Sequence, residues 1–170
     1  MARADVKVIG KCMRQPFRIA ASATRGYAGE PMMVAPAYNG DGLSTANTIT
    51  VVTTNKPIIG TDQFIGILAK DMEVDSTSTV TAQRTVVDVP YANTTRMEAK
   101  VTTAATADTE SEAIGLLWDI YKFDLTSPTY TWKPLAGDTG GFVARWYNVV
   151  GSKLQCVADQ RILSRTDITT

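Results

Sequence analysis

Threonine is unusually abundant in this chain, and its abundance restricts the folds that the chain can adopt. Of the 170 residues, 24 are threonine and none is histidine. Threonine is β-branched and stiff at χ1, so it fits the pleated surface of a strand better than a helix. Histidine is the commonest general base and metal ligand near neutral pH, so its absence excludes Ser-His-Asp triads, Cys-His pairs and most catalytic zinc sites. The two features predict a β-rich structural or binding protein that is not an enzyme.

Composition indicates a soluble protein with one compact domain as the simplest organisation. Hydrophobic residues make up 44% of the chain and charged residues 20%, which is ordinary for a soluble globular protein. The apolar runs are only a few residues long, so we expect no membrane partner. The N-terminus lacks the apolar core of a secretory signal, which favours synthesis in the cytoplasm without export. Cys12 and Cys156 lie far apart without a CxxC motif, and two reduced thiols are expected, with a disulfide as the alternative.

Positive charge is concentrated at the N-terminus, although the whole chain has 17 basic and 17 acidic residues. Residues 1–29 contain six basic side chains and one acidic side chain. We interpret this segment as a basic arm that docks on an acidic partner surface, or as a solvated terminal strand. Nucleic acid is not the expected partner, because the basic residues are not clustered and few aromatic residues accompany them. The candidate contact residues are Arg3, Lys7, Lys11, Arg14, Phe17, Arg18 and Arg25.

Turn-forming residues separate the N-terminal part from the rest of the chain. Residues 26–62 are rich in Gly, Pro, Asn and Thr, which indicates short extended pieces joined by turns. We therefore divide the chain into an extended basic arm and loop-rich segment, residues 1–57, and a β-domain, residues 58–170. Residues 39–42 read Asn-Gly-Asp-Gly and predict a turn, because the remaining ligands of a calcium loop are missing. Neither a metal ion nor another cofactor is expected.

Alternating apolar residues predict strands throughout the second part of the chain. Thr109 and Glu112 fit a capping box, so a short helix is expected there, followed within about two turns by another strand. Residues 142–148 and 153–158 are a hairpin candidate, in which Phe142, Ala144 and Trp146 face Leu154, Cys156 and Ala158. The sequence shows no repeat at a fixed period. We predict an all-β fold, a small antiparallel β-barrel or sandwich with one short helix and an extended N-terminal arm.

Residues 96–163 carry a resemblance to a known protein family. They read RMEAKVTTAATADTESEAIGLLWDIYKFDLTSPTYTWKPLAGDTGGFVARWYNVVGSKLQCVADQRIL. The order of a polar alternating strand, an acidic helix start, an aromatic strand ending in FDL, a D-T-x-G turn and a closing hairpin resembles the β-domain of decoration, or cement, proteins of tailed bacteriophages. The resemblance implies a trimer or a monomer on the outer capsid surface of a virion that bridges major capsid protein subunits, often with an arm reaching to neighbours. Of the two states, we expect a homotrimer.

Three other functions are compatible with the sequence. A carbohydrate-binding module would use exposed aromatic residues as a stacking platform, although alternation favours core positions for most of them. The candidates are Trp118, Tyr121, Tyr130, Trp132, Trp146 and Tyr147. A glycosidase would need paired carboxylates such as Asp71 with Glu73 or Asp75, but a solvated strand end explains these residues better. Another virion component, such as a head fibre or tail protein, would share the β-rich and histidine-free character.

Overall fold

The predicted fold class is confirmed, because the protein is mainly β with very little helix. The computed structural model describes residues 6–19, 26–34, 48–52, 57–59, 62–72, 84–101, 110–118, 120–126, 129–134, 140–148 and 153–163. The strands are β1 Lys7–Ile9, β2 Cys12–Ile19, β3 Pro31–Val34, β4 Thr48–Val51, β5 Phe64–Leu68, β6 Arg84–Pro90, β7 Arg96–Val101, β8 Ile120–Thr126, β9 Thr129–Pro134, β10 Phe142–Asn148 and β11 Lys153–Ala158. The helices are α1 Glu110–Gly115 and α2 Gln160–Leu163. As predicted, α1 is short and a strand follows it. Neither described helix is long enough to cross a membrane.

The first sheet contains β2 to β6 and closes into a barrel in the order β2-β4-β3-β5-β6. Strand β2 pairs with β4 in parallel and with β6 in the antiparallel direction. The pairings β4–β3, β3–β5 and β5–β6 are all antiparallel. We call these five strands the first ring.

The second sheet contains β1 and β7 to β11, and five of its strands also form a ring of pairings. Their order is β7-β11-β10-β8-β9, and a parallel pairing of β9 with β7 closes the ring. The other pairings in this ring are antiparallel. Strand β1 pairs antiparallel with the first half of β7, and Lys7 lies opposite Glu98. Strand β9 pairs with the other half of β7. We call β7 to β11 the second ring.

The two rings have the same topology, so the chain contains a structural duplication that the sequence did not reveal. In chain order, the first strand of each ring (β2 or β7) pairs in parallel with the third (β4 or β9) and antiparallel with the fifth (β6 or β11). The second strand (β3 or β8) lies between the third and the fourth (β5 or β10). Register also agrees. Leu68 lies opposite Val87 in the first ring, and Ala144 lies opposite Cys156 at the corresponding place in the second ring.

Corresponding positions are buried in both rings. Four such pairs are Met32 with Tyr121, Ile49 with Trp132, Leu68 with Ala144, and Val87 with Cys156. The buried cluster of the first ring consists of aliphatic and methionine side chains, whereas the second ring carries large aromatic side chains that contact one another. Trp132 stacks on Phe123 with 4.4 Å between ring centroids, and Phe142 meets Phe123 edge-on at 4.9 Å. Aromatic pairs in these arrangements add to the stabilisation from burial alone.

The two rings share a continuous apolar contact. Phe64 of β5 lies edge-on to Phe142 of β10, with ring centroids 5.0 Å apart. The buried Tyr130 hydroxyl of β9 donates a hydrogen bond of 2.6 Å to the Val52 carbonyl oxygen, which follows β4. A buried hydrogen bond of this kind fixes orientation as well as adding stability, because an unpaired carbonyl would carry a desolvation cost. The rings therefore pack as one unit.

The N-terminal segment is part of the sheets, which corrects the expectation of an arm outside the fold for residues 6–19. Strand β2 pairs with β6 along seven residue positions, from Cys12 opposite Pro90 to Arg18 opposite Arg84. Val6 is buried, and the Thr95 hydroxyl donates a hydrogen bond to the Lys11 carbonyl oxygen. Apart from β1, which pairs with β7, the strand pairings divide the chain between β6 and β7, whereas the sequence suggested a boundary between residues 57 and 58. Residues 1–5 lie outside the described part.

Candidate interaction surface

The residues predicted to contact a partner occupy different environments. The Arg14 guanidinium donates to both carboxylate oxygens of Asp88, at 2.7 and 3.1 Å. Phe17 is half-buried and packs against the core of the first ring. Lys7 and Lys11 are exposed, whereas Arg3 and Arg25 lie outside the described residues and the side chain of Arg18 is not described. Arg14 and Phe17 thus have partners within the chain, and contact of the predicted set with a capsid stays a prediction.

An open groove runs where β1 and the second ring meet the first ring. Its volume is about 480 Å³, and its lining includes Val6, Lys7, Gly29, Asp88 and Lys153. The groove has apolar walls and two lysines, but Asp88 is already paired with Arg14. The groove is therefore wide, with both polar and apolar lining residues, and these residues do not form a cluster of like charges that could bind a charged ligand.

Two exposed tryptophans distinguish one surface of the described part of the chain. Trp118 follows α1 and is 67% exposed, while Trp146 of β10 is 44% exposed. The Arg145 guanidinium carbon lies 3.9 Å from the centre of the Trp118 ring, and that of Arg96 lies 4.8 Å from the centre of the Trp146 ring. Both distances fit cation–π contacts. We call these four residues the Trp–Arg surface.

A β-bulge in β10 brings the halves of the Trp–Arg surface together. Ala144 lies opposite Cys156, but the next paired residue is Trp146, opposite Gln155, so Arg145 is an additional residue in the strand. Bulges of this kind change the direction of side chains and are common near functional sites. Ala144 lies opposite Cys156 as the predicted hairpin requires, but Trp146 lies opposite Gln155 instead of Leu154, and it is exposed because the bulge turns it outward.

Polar contacts hold the guanidinium of Arg96 in place. Its Nη1 atom donates to Gln155 Oε1 at 3.0 Å, and Gln155 Nε2 donates to Glu98 Oε2 at 2.8 Å. Lys153 Nζ lies 3.8 Å from Glu98 Oε1. The network joins β7 and β11 and therefore presents Arg96 in one orientation. Arg145 differs, because no carboxylate among the described residues pairs with it.

Trp118 has a left-handed backbone conformation, with φ of 71°. Bulky residues rarely adopt this region, and the conformation costs roughly 1–2 kcal/mol for a residue with a Cβ atom. The Trp118 N–H donates to the Ala144 carbonyl oxygen at 2.8 Å. At the corresponding place in the first ring, Gly29 has φ of 91° and its N–H donates to the Leu68 carbonyl oxygen, also at 2.8 Å. The same turn therefore carries glycine in one ring and tryptophan in the other.

The aromatic platform expected for a carbohydrate-binding module is not formed by the set that the sequence suggested. Trp132, Tyr121 and Tyr130 are fully buried in the second ring. Tyr147 is half-buried and packs against the same core. The alternation of apolar residues had favoured these core positions. Only Trp118 and Trp146 of the six suggested residues are largely exposed.

The carboxylates considered for catalysis do not form a described pair. Asp71 is exposed, and its Oδ1 atom accepts a hydrogen bond of 2.9 Å from the Ala28 N–H. Glu73 and Asp75 lie outside the described residues. Within the described ranges, no three acidic or cysteine side chains are arranged to hold a metal ion. Cys12 and Cys156 are free thiols, and burial raises the pKa of both.

Glu30, the residue before β3, has a carboxyl pKa that the folded structure raises. Burial raises the pKa of its carboxyl group, the hydrogen bond from the Tyr27 N–H lowers it, and the charge of Asp71 raises it. The hydrogen bond is 2.8 Å long. Since the net direction is upward, folding favours the protonated form of Glu30.

No protein family model and no curated protein matches this chain. A functional conclusion therefore depends on the chemistry of the surface together with the sequence resemblance. Of the Trp–Arg surface, sequence reasoning identified the tryptophans only as members of a larger aromatic set and did not select Arg96 or Arg145. No residue of β10 marks the bulge, because an outward Arg145 beside an inward Trp146 is what regular alternation would give.

Proposed function

We propose that this protein is a structural virion protein that binds the outside of a phage capsid and stabilises it by bridging major capsid protein subunits. Residues 96–163 resemble decoration proteins of tailed bacteriophages, and these residues form the second ring. A rigid pair of rings suits this role, because a bridging protein must transmit force between its contacts without deforming. The protein acts without a cofactor.

The observation that carries the proposal is the Trp–Arg surface. Tryptophan and arginine are enriched among the residues that contribute most to binding at protein interfaces. Here Trp118 and Trp146 are exposed, and each is held in place by a guanidinium group. An ordered side chain loses less conformational entropy on binding than a mobile one. The surface is therefore suited to contact with another protein.

Self-association as a homotrimer is part of the same proposal. A capsid offers many equivalent sites, so a trimer that contacts several of them gains avidity beyond the affinity of one chain. Multi-angle light scattering tests this step directly, and a trimer is the expected species at micromolar concentration. If the protein is a monomer in solution and a trimer only on heads, then its subunits associate on the capsid.

Sedimentation with capsids tests the proposed function. Purified protein is mixed with heads of the virus that encodes it, prepared without this protein, and the mixture is separated on a density gradient. We expect the protein to move with the heads in a saturable ratio and to raise the temperature at which the heads open. Heads of an unrelated phage serve as the control. Sedimentation with purified tails and not with heads would instead identify a tail component.

A carbohydrate-binding function is the second candidate, because Trp118 and Trp146 are exposed. However, one face of each indole ring is covered by an arginine, which leaves less aromatic area for stacking on a sugar. A glycan array separates the two functions. Binding to a defined glycan that is lost when either tryptophan is replaced would favour the carbohydrate-binding module.

A further inference from the structure

The duplication supplies an internal control for the role of Trp118. Gly29 and Trp118 occupy corresponding positions, because Gly29 lies two residues before Pro31, which pairs with Ile67, and Trp118 lies two residues before Ile120, which pairs with Val143. Both residues have a left-handed backbone conformation. The N–H of Gly29 donates to the carbonyl oxygen of Leu68, the residue after Ile67, and the N–H of Trp118 donates to that of Ala144, the residue after Val143. Glycine adopts this conformation without strain. The turn therefore does not need a tryptophan.

The side chain of Trp118 also contributes little to the core. It is 67% exposed, and among the described residues its ring contacts the guanidinium of Arg145. Arg145 is itself the additional residue of the bulge in β10. Two local irregularities, a strained turn and a bulge, thus meet at one Trp–Arg pair. Such irregularities persist where the surroundings enforce them, and they concentrate at functional sites.

We infer that Trp118 and Arg145 form the anchor by which this protein docks on a carboxylate-bearing protein surface. The inference deepens the proposed function and rests on it, since the partner is then an acidic face of the major capsid protein. In this arrangement the free face of the Trp118 indole packs on apolar side chains of the partner. The N–H groups of Arg145 donate to a carboxylate of the partner, which fits their bidentate geometry. Arg96 and Trp146 extend the contact along β7 and β10.

Charge distribution favours a protein partner over nucleic acid. The chain has no net charge, and the network that orients Arg96 contains the carboxylate of Glu98. A phosphate backbone is bound by many basic residues spread over one face, whereas the Trp–Arg surface contains two arginines. Two arginines that alternate with two tryptophans fit a limited number of carboxylates within an apolar surface. The occupant is therefore a protein face of that composition.

Three variants test the assignment by binding and by stability. Trp118→Gly replaces the residue with the one used in the other ring, and Arg145→Glu reverses the charge. Tyr91→Ala removes a different exposed aromatic side chain, 47% exposed in the connection between β6 and β7, and is the matched control. Affinity for heads is measured by sedimentation, and the thermal midpoint of the isolated protein is measured in parallel.

We expect Trp118→Gly and Arg145→Glu each to weaken binding at least tenfold, while Tyr91→Ala binds like the wild type. The thermal midpoint of Trp118→Gly should be equal to or above that of the wild type, because the strain at this position is removed. Wild-type affinity in both surface variants would overturn the inference while leaving the proposed function intact. A clear fall in the midpoint of Trp118→Gly would also overturn it, since Trp118 would then be a structural residue. Failure of the wild type to bind heads would overturn the proposed function and this docking partner together.

Discussion

Gly29 and Trp118 donate their backbone N–H groups to carbonyl oxygens at equivalent positions of two rings, and both have a positive φ. The pair shows that the duplication extends from strand order to individual hydrogen bonds. It also shows where the two halves differ. The first ring keeps glycine at this turn, and the second ring carries an exposed tryptophan under a guanidinium group. A structural position that both halves share has thus acquired a side chain suited to binding in only one of them.

Gly66 is required by the close approach of β5 and β6. A Cβ atom at this position would lie 2.3 Å from the Asp88 carbonyl oxygen and 2.9 Å from Val87 Cγ1. Backbone cannot move aside as a flexible side chain can, so we expect Gly66→Ala to lower the free energy of unfolding by about 1–3 kcal/mol. Urea denaturation measures this change. Gly115→Ala is the control, because nothing lies within 4 Å of the added Cβ atom. Equal stability of the two variants would contradict the pairing of β5 with β6.

Removal of the N-terminal residues should unfold the first ring. Deleting residues 2–19 removes β2, which pairs with both β4 and β6. We therefore expect loss of the cooperative thermal transition and poor solubility, whereas the division into an arm, residues 1–57, and a β-domain, residues 58–170, had placed β2 outside the folded domain. Circular dichroism and light scattering detect this outcome, and deletion of residues 2–5 is the control. A truncated protein that melts like the full chain would show that β2 is dispensable.

Glu30 should make stability depend on pH. Its folded pKa is raised above the ordinary value of 4.5, so its contribution favours the folded state below that value and is lost as pH rises toward the folded pKa. Glu30→Gln removes the ionisation but keeps an oxygen that can accept the Tyr27 N–H. The variant should gain stability relative to the wild type in the interval above pH 4.5, as the pH rises from this ordinary value through the folded pKa. Thermal midpoints of both proteins across this interval measure the difference. A constant difference would mean that Glu30 ionises as it does in the unfolded chain.

Tyr130 should link the two rings through its hydroxyl group. Tyr130→Phe keeps the buried ring but removes the donor to the Val52 carbonyl oxygen. Because a buried carbonyl would lose its partner, we expect the free energy of unfolding to fall by about 1–3 kcal/mol. Chemical denaturation gives the value. A change near zero would indicate that water replaces the hydroxyl group.

The sequence predicted the parts of the fold that local alternation determines. The hairpin of β10 and β11 was expected, and Phe142 lies opposite Ala158 as the pattern suggested. The outward turn of Trp146 was missed because a bulge interrupts alternation without any residue that marks it. The duplication was missed because corresponding positions of the two rings, such as Met32 and Tyr121, carry different side chains. In addition, the connection from β7 to β8 contains α1, so the strands do not recur at a fixed period.

The position of β2 could not be read from the sequence either. Its partner β6 lies far along the chain, and a basic segment with scattered apolar residues resembles an arm when only local pattern is available. The same limitation applies to the Trp–Arg surface. Arg96 and Trp146 belong to different strands and meet only because β11 lies between β7 and β10. Such a surface becomes visible once the strand order is known.

A cryo-electron microscopy reconstruction of heads incubated with the protein tests the central claim most directly. We predict additional density on the outer capsid surface, with Trp118 and Arg145 buried against an acidic face of the major capsid protein. Heads without added density, or density in which Trp118 and Arg145 face solvent, would contradict this account.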